Sequence, residues 1–298
     1  MELITQPDDG IDSIVVAVEG AKTSIDIMIF RFDLKPLEKA IVAAVKRGVA
    51  VRALVAHTNR GGDKTLRKLE QRMLDAGVMV SRTADDLVRY HSKLLIVDQS
   101  EIYVLGYNFT RIDLKSRSFG VVVREKPLVQ EALRLFEADA LKQDFEPELD
   151  TLVVSPENAR EQLATFIKRA KKSLVIWDPQ AVDPQMLRLL NQRHKAGVDI
   201  RVIGKVARRG GDLRVQKMPN GNRLHVRAMV RDGETGFVGS QSLRALELDG
   251  RREVGVIFKD AKVAKAMLEV FEQDWARTEL GKKELDAHEK ELALAEAG

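Results

Sequence analysis

Apolar and polar residues alternate along this 298-residue chain in blocks that predict helices and strands in turn. In the first half, a helical pattern at about 10–21 is followed by the apolar run 24–30, a second helix that ends at Gly48, and the apolar run 49–55. The same order returns later, at about 157–171, 173–178, Gly197 and 198–204. Strand, helix and strand at this spacing predict parallel pairing through right-handed crossovers.

The repeated order reflects an internal duplication. AKTSIDI at Ala21 returns as AKKSLVI at Ala170, and RGGD at Arg60 returns at Arg209, both at an offset of 149 residues. The histidine-containing segments further along each half match at an offset of only 134 residues. The second half therefore lacks about 15 residues, which correspond to the amphipathic helix predicted at 64–78. The fold class is therefore α/β. We expect two related halves with mixed, mostly parallel sheets, packed around a pseudo-two-fold axis.

Domain boundaries follow from the same repeat. The N-terminal half spans 1–148 and the C-terminal half 149–278, and each half closes with a long helix, at about 126–142 and 260–277. The remaining segment, 279–298, holds six acidic residues and three lysines. This composition is typical of a charged, solvated helical tail.

A predicted hairpin in each half carries a histidine and a cation. The segment RYHSKLLIVD contains His91 and Lys93, and its counterpart RLHVRAMVRD contains His225 and Arg227. Side chains two residues apart lie on one face of a strand, so each histidine shares a face with its cation. Asn108 ends the returning strand of the first hairpin and can reach the same spot.

Duplication can bring these two sets together around one pocket. Cations of this kind bind the non-bridging oxygens of a phosphate and offset the charge that develops in the transition state. One histidine can attack phosphorus while the other protonates the leaving oxygen. Gly106 and Gly239, on the returning strands, are expected to leave room for a ligand.

Composition narrows the chemistry. The chain has no cysteine, which excludes disulfides, thiolate nucleophiles and cysteine-ligated metals. No run approaches the roughly 18 apolar residues of a membrane span, and the N-terminal sequence does not resemble a signal peptide, so we expect a cytoplasmic protein. The net charge is +4, but eight of the Lys and Arg residues fall within 205–231, beside the second motif.

The two motifs, His91-x-Lys93-x4-Asp98 and His225-x-Arg227-x4-Asp232, resemble the HKD motifs of the phospholipase D superfamily. The flanking segments resemble the family over almost the whole chain, particularly its soluble cardiolipin synthase-like bacterial members. The resemblance implies a metal-independent phosphodiesterase or phosphatidyltransferase that needs no cofactor. The sequence departs from the family at Arg227, where lysine is usual, at Ser242, where asparagine is usual, and at Ser118, near where an acid often orients a histidine.

By this resemblance, His91 is the nucleophile and His225 the general acid, with Glu253 supporting the ring of His225; the reverse assignment of the two histidines stays open. The predicted catalytic set contains His91, Lys93, Asn108, Asp98, His225, Arg227, Asp232 and Glu253. Aspartate at a turn also serves local hydrogen bonding, which is the alternative role of Asp98 and Asp232. The predicted substrate-binding set contains Ser240, Ser242, Arg60 and Arg209.

Three functions remain open. The first is a phospholipid phosphodiesterase or transferase, with the basic segment 205–231 making transient contact with an anionic membrane. The second is an endonuclease that acts on DNA or RNA, with that segment following the nucleic-acid backbone. The third is a catalytically degenerate phosphate-binding or scaffold protein, which Arg227 and Ser242 leave possible. In each case we expect a monomer with one site between its halves.

Overall fold

The computed structural model of the protein describes residues 1–58, 63–207, 211, 213–219 and 222–296. Two of the predicted substrate-binding residues, Arg60 and Arg209, lie outside these residues. Within the described part of the chain, no helix is long and apolar enough to cross a membrane.

Seven strands form the first sheet, in the order β1-β8-β7-β6-β2-β3-β4 across the described residues. Strands β2 and β3 are the first two apolar runs of the sequence, and β6 and β7 are the two arms of the first predicted hairpin. The bounds are β1 Glu2–Gln6, β2 Ser24–Ile29, β3 Ala50–Val55, β4 Met79–Arg82, β6 Leu94–Val97, β7 Glu101–Leu105 and β8 Ser118–Val123.

The second sheet repeats this plan and takes one strand from the first half. Its described strands run in the order β12-β11-β10-β13-β14-β15-β5, with β9 also paired to β15. Only β5 comes from the N-terminal half. The bounds are β5 Arg89–Tyr90, β9 Leu152–Ser155, β10 Ser173–Ala181, β11 Asp199–Val206, β12 Arg214–Gln216, β13 Arg227–Arg231, β14 Thr235–Gly239 and β15 Arg251–Phe258.

Helices connect these strands where the apolar periodicity predicts them. Gly48 and Gly197 follow two corresponding helices with φ of 87° and 89°, which glycine adopts without strain. Asp183 caps the second of these helices by accepting from the amides of Gln185 and Met186, both at 3.0 Å. The bounds are α1 Asp12–Gly20, α2 Lys35–Lys46, α3 Asp63–Asp75, α4 Arg111–Leu114, α5 Lys126–Leu141, α6 Ala159–Lys168, α7 Pro184–Lys195, α8 Ala245–Asp249, α9 Ala261–Ala276 and α10 Glu279–Glu296.

The duplicated α/β architecture is confirmed, but the expected balance of strand directions is wrong. The crossover strands β2, β3 and β4 are parallel, as are β10, β11 and β12. The hairpins and the strands that follow them pair antiparallel, and in the described sheets these pairs outnumber the parallel ones. The crossover pattern covers only the first part of each half, because short turns reverse the chain in the rest.

The two sheets face each other across a shared core. One cluster of described buried residues joins both sheets with α5 and α9, and two further clusters lie under the outer helices of each half. Trp177 of the second sheet makes edge-to-face contacts with Phe119 of the first sheet and with Phe271 of α9, each with ring centroids 4.9 Å apart. Such contacts contribute about 0.5–1.5 kcal/mol each beyond area burial. The halves therefore pack as one body around the site.

Candidate active site

Each histidine segment crosses to the other half. Strand β5 lies parallel to β15 with Tyr90 opposite Arg252, and the His91 amide donates to the Arg252 carbonyl at 2.8 Å. This register places the next residue, His91, beside Glu253. The arrangement repeats in reverse, because Leu224 bridges Arg117 and the His225 amide donates to the Arg117 carbonyl at 3.0 Å.

Glu253 therefore serves His91 rather than His225, which corrects the role expected for this acid. Its carboxylate lies 2.8 and 3.0 Å from His91 Nδ1, and its side chain is completely buried. A proton on Nδ1 directed at this carboxylate leaves the lone pair of the ring on Nε2. Phe30 packs edge-on against the ring at 4.4 Å and fixes its plane.

Lys93 contacts both nitrogens of the His91 ring. Its Nζ lies 2.7 Å from Nδ1 and 2.9 Å from Nε2, and it donates to the His91 carbonyl at 2.6 Å. Burial lowers the pKa of His91 well below its usual range, and the charges of Lys93 and Arg227 lower it further. Burial raises the pKa of Glu253, although Lys93 opposes this shift. These shifts favour the neutral form of the His91 ring, which is the form that can act as a nucleophile.

The ring of His225 faces a carboxylate that no motif contains. Asp113, on the short helix α4, lies 3.5 Å from His225 Nδ1. Its Oδ2 accepts from the backbone and side-chain amides of Asn108 at 3.0 and 2.6 Å. Arg223 forms an ion pair with Oδ1, the oxygen that faces His225. Burial raises the pKa of Asp113, but His225, Arg223 and Asn108 outweigh it and lower the pKa overall. Asp113 is therefore ionised beside His225.

Arg227 is the cation of the second half. Its Nη1 donates to the His225 carbonyl at 3.1 Å and its Nε lies 3.3 Å from Ser242 Oγ. Burial lowers the pKa of His225 well below its usual range, and Arg227 adds to this shift. Ser240 is buried, accepts from the Val254 amide at 3.2 Å and favours the charged form of Glu253. Ser240 and Ser242 thus contact Glu253 and Arg227, two members of the predicted catalytic set.

The glycines of the returning strands have a different role from the expected one. A Cβ at Gly106 would lie 3.1 Å from the Gly239 carbonyl, and one at Gly239 would lie 2.7 Å from Gly255 Cα. These glycines permit close approach of protein backbones and do not open space for a ligand. The site is nearly closed, with His91 7% exposed and His225 8% exposed.

Asp98 and Asp232 lie at the far ends of their strands, which corrects their place in the catalytic set. The Asp98 carboxylate accepts from the amides of Lys22, Thr23 and Ser24 at 2.7–3.0 Å. The carboxylate of Asp232 makes the same three contacts with residues 171–173 at 2.7–3.1 Å. Seven residues of extended chain place Asp98 on the order of 20 Å from His91. Both aspartates anchor the start of the neighbouring strand.

Of the predicted catalytic residues, the structure brings together His91, Lys93, Asn108, His225, Arg227 and Glu253. Asp113 and Arg223 were missed. A signal for Asp113 exists in the repeat, since Glu247 stands 134 residues later in the corresponding helix. An acid at the same position of both halves indicates a candidate site residue.

Comparison with known proteins agrees with this geometry. The family model described as cardiolipin synthase, PLD-like domain, matches residues 14–140 and 163–275. A mitochondrial cardiolipin hydrolase of Danio rerio is 29% identical over 124 residues, which cover 40% of this chain and 53% of that protein. The chain thus matches about half the length of this curated relative.

Two solved structures share the fold over nearly the whole chain. The polyphosphate kinase from Porphyromonas gingivalis has a TM-score of 0.75 at 18% identity, over 91% of this chain and 49% of that one. The phosphatidylserine synthase from Haemophilus influenzae Rd KW20 has a TM-score of 0.72 at 13% identity, over 93% and 86%. These likenesses confirm the fold, and the family match confirms the resemblance seen in the sequence. The chain belongs to the cardiolipin synthase-type family of PLD-like domains.

Proposed function

We propose that the protein cleaves or exchanges a phospholipid headgroup at its phosphodiester through a phosphohistidine intermediate. One observation carries the proposal: two histidines from different halves share a buried site with Lys93 and Arg227. The charge of Arg227 acts on His91 and that of Lys93 acts on His225, so the two sets lie within electrostatic reach of each other.

In this proposal the two histidine rings act in turn on the phosphodiester. His91 Nε2 attacks phosphorus while Lys93 and Arg227 bind the non-bridging oxygens. His225 gives its proton to the leaving alcohol oxygen as the phosphorus–oxygen bond breaks. His225 then takes a proton from water or an acceptor alcohol, whose oxygen attacks phosphorus and releases His91. Water gives hydrolysis, and an alcohol gives headgroup exchange.

Two exposed apolar residues close in sequence to the site residues support a lipid substrate. Val88 precedes the β5 strand that leads to His91 and is 62% exposed, and Ile112 precedes Asp113 and is 59% exposed. Such residues suit a phospholipid, which presents acyl chains beside its phosphate. The curated relative is named for cardiolipin hydrolysis, which points the same way.

A nuclease is the second candidate. The guanidinium groups of Arg89, Arg227 and Arg251 all lower the pKa of His91, so positive charge extends beyond what one phosphate needs. Such a site can also bind the repeated phosphates of a nucleic-acid strand. The basic segment 205–231 serves either candidate, as a contact for an anionic membrane or for a nucleic-acid backbone.

Product analysis in EDTA distinguishes these functions. Anionic and zwitterionic phospholipids, single- and double-stranded DNA and RNA, and an aryl phosphodiester are each incubated with the wild type, His91→Ala and the control His57→Ala. His57 is exposed, and its described contacts are with Thr83 and Arg67 rather than with the site residues. We expect headgroup release by the wild type and the control, and none by His91→Ala. Cleavage of nucleic acid alone would establish the nuclease, and no turnover by the folded wild type would favour a degenerate phosphate-binding protein.

A further inference from the structure

Asp113 occupies a position that the duplication makes informative. In the second half, the acid that faces a histidine is Glu253, on strand β15. Its counterpart on β8 is Ser118, because Gly120 and Gly255 pair with the corresponding residues of the preceding strands. The Ser118 hydroxyl is 3.5 Å from the His225 carbonyl and is too short to replace a carboxylate at the ring.

The acids on the short helices α4 and α8 show the opposite difference, since here the first half has the acid that faces a histidine. Glu247 on α8 is the counterpart of Asp113, but it forms ion pairs with Arg251, at 2.8 Å, and with Arg244. Asp113 instead lies 3.5 Å from His225 Nδ1 and is 1% exposed. The histidine-facing acid therefore comes from the strand in one case and from the helix in the other.

We propose that Asp113 replaces the strand carboxylate absent at Ser118, and that it positions His225 and stabilises its protonated form as the general acid. This role rests on the proposed function. His225 Nδ1 is buried without a hydrogen-bond partner among the described residues, and the Asp113 carboxylate lies 3.5 Å from it. A carboxylate in this place favours the proton on Nδ1 and leaves Nε2 for the leaving oxygen. The carboxylate also offsets the charges of three cations near His225, namely Lys93, Arg223 and Arg227. Without it, these charges would disfavour a second proton on the ring. The ion pair with Arg223 and the amides of Asn108 hold the carboxylate in place.

Ring ¹⁵N NMR tests this role without requiring turnover. The chain has five histidines, so His225 can be assigned by its loss in His225→Ala. In the wild type we expect the neutral ring to carry its proton on Nδ1. Asp113→Asn should produce a mixture of tautomers and lower the pKa of His225 by about one pH unit, since a charge at this distance shifts pKa values by about 1–3 units. Glu247→Gln is the matched control and should leave the His225 signals unchanged.

A second carboxylate provides the rescue. Adding Ser118→Glu to Asp113→Asn places an acid where Glu253 stands relative to His91, and it should restore the Nδ1–H tautomer; Ser118→Asp is the shorter alternative. In turnover, Asp113→Asn should move the high-pH limb of the rate profile to lower pH, and the rescue should move it back. A purely structural residue would lower activity without moving that limb.

The outcomes separate this inference from the proposed function. A wild-type ring protonated on Nε2, or a His225 signal unchanged in Asp113→Asn, would overturn the role of Asp113 even in an active enzyme. The expected tautomer changes in a protein that cleaves no phosphodiester would retain Asp113 as the residue that positions His225, and would refute the catalytic proposal and the general-acid part of this inference.

Discussion

Sulfate binding to the site should depend steeply on pH because of Lys93. This lysine is 1% exposed, and burial lowers its pKa to about 7, with Glu253 opposing the shift and Arg227 adding to it. The charged form binds an anion, so affinity is full below pH 7 and falls about tenfold per pH unit above it. Between pH 6 and pH 9 the expected loss is about two orders of magnitude. Sulfate keeps its charge over this range, so the protein alone supplies the slope.

Calorimetry in two buffers of different ionisation enthalpy measures both the sulfate affinity and the number of protons taken up on binding. Because the bound anion holds Lys93 protonated, binding at pH 8 should take up about 0.9 proton, and binding at pH 6 about 0.1. Lys93→Met should bind more weakly and lose both the slope and the proton uptake. A wild-type affinity that stays constant from pH 6 to pH 9 would refute the view that burial depresses the pKa of the anion-binding lysine.

Three shorter predictions concern other contacts. Asp274→Asn should reduce the free energy of unfolding, measured by urea denaturation, by about 3 kcal/mol, because the fully buried Asp274 pairs with Arg117 of the other half at 2.9 Å. The control Lys265→Ala breaks an exposed ion pair and should reduce it by less than about 0.5 kcal/mol. Asp98→Ala should lower the free energy of unfolding by about 1–3 kcal/mol and leave kcat per folded molecule unchanged, since among the described residues its carboxylate accepts from residues 22–24, far from His91. Arg227→Lys should lower kcat about tenfold or more, because lysine cannot contact both the His225 carbonyl and Ser242; an increase would show instead that the second half has decayed.

Much of the fold follows from local patterns in the sequence. The apolar periods predicted the crossover strands, the hairpins and the long closing helices, and the duplication predicted two α/β halves around one site. The family resemblance was visible in His91, Lys93 and His225. These features depend on residues close in sequence, where spacing alone determines which side chains share a face.

The exchange of histidine segments between the halves could not be predicted in this way. The pairing of β5 with β15 joins residues more than 150 positions apart, and its register alone decides that Glu253 meets His91. A separate long-range bridge, between Arg117 and Leu224, brings His225 to Asp113. Asp98 illustrates the opposite error, because it was placed in the predicted catalytic set, whereas three backbone amides show the local hydrogen-bonding role that its position at a turn also allowed.

The covalent intermediate is the most direct test of the central claim. His225→Asn, treated in EDTA with a phosphodiester that carries an aryl leaving group, should form the adduct without a general acid but resolve it slowly for lack of a general base. Peptide mass spectrometry after an alkaline quench should then find the N-linked phosphoryl adduct, a phosphoramidate, on His91. Turnover by the wild type with no adduct on His91 in this variant, or with an adduct on a residue outside the site, would contradict the mechanism.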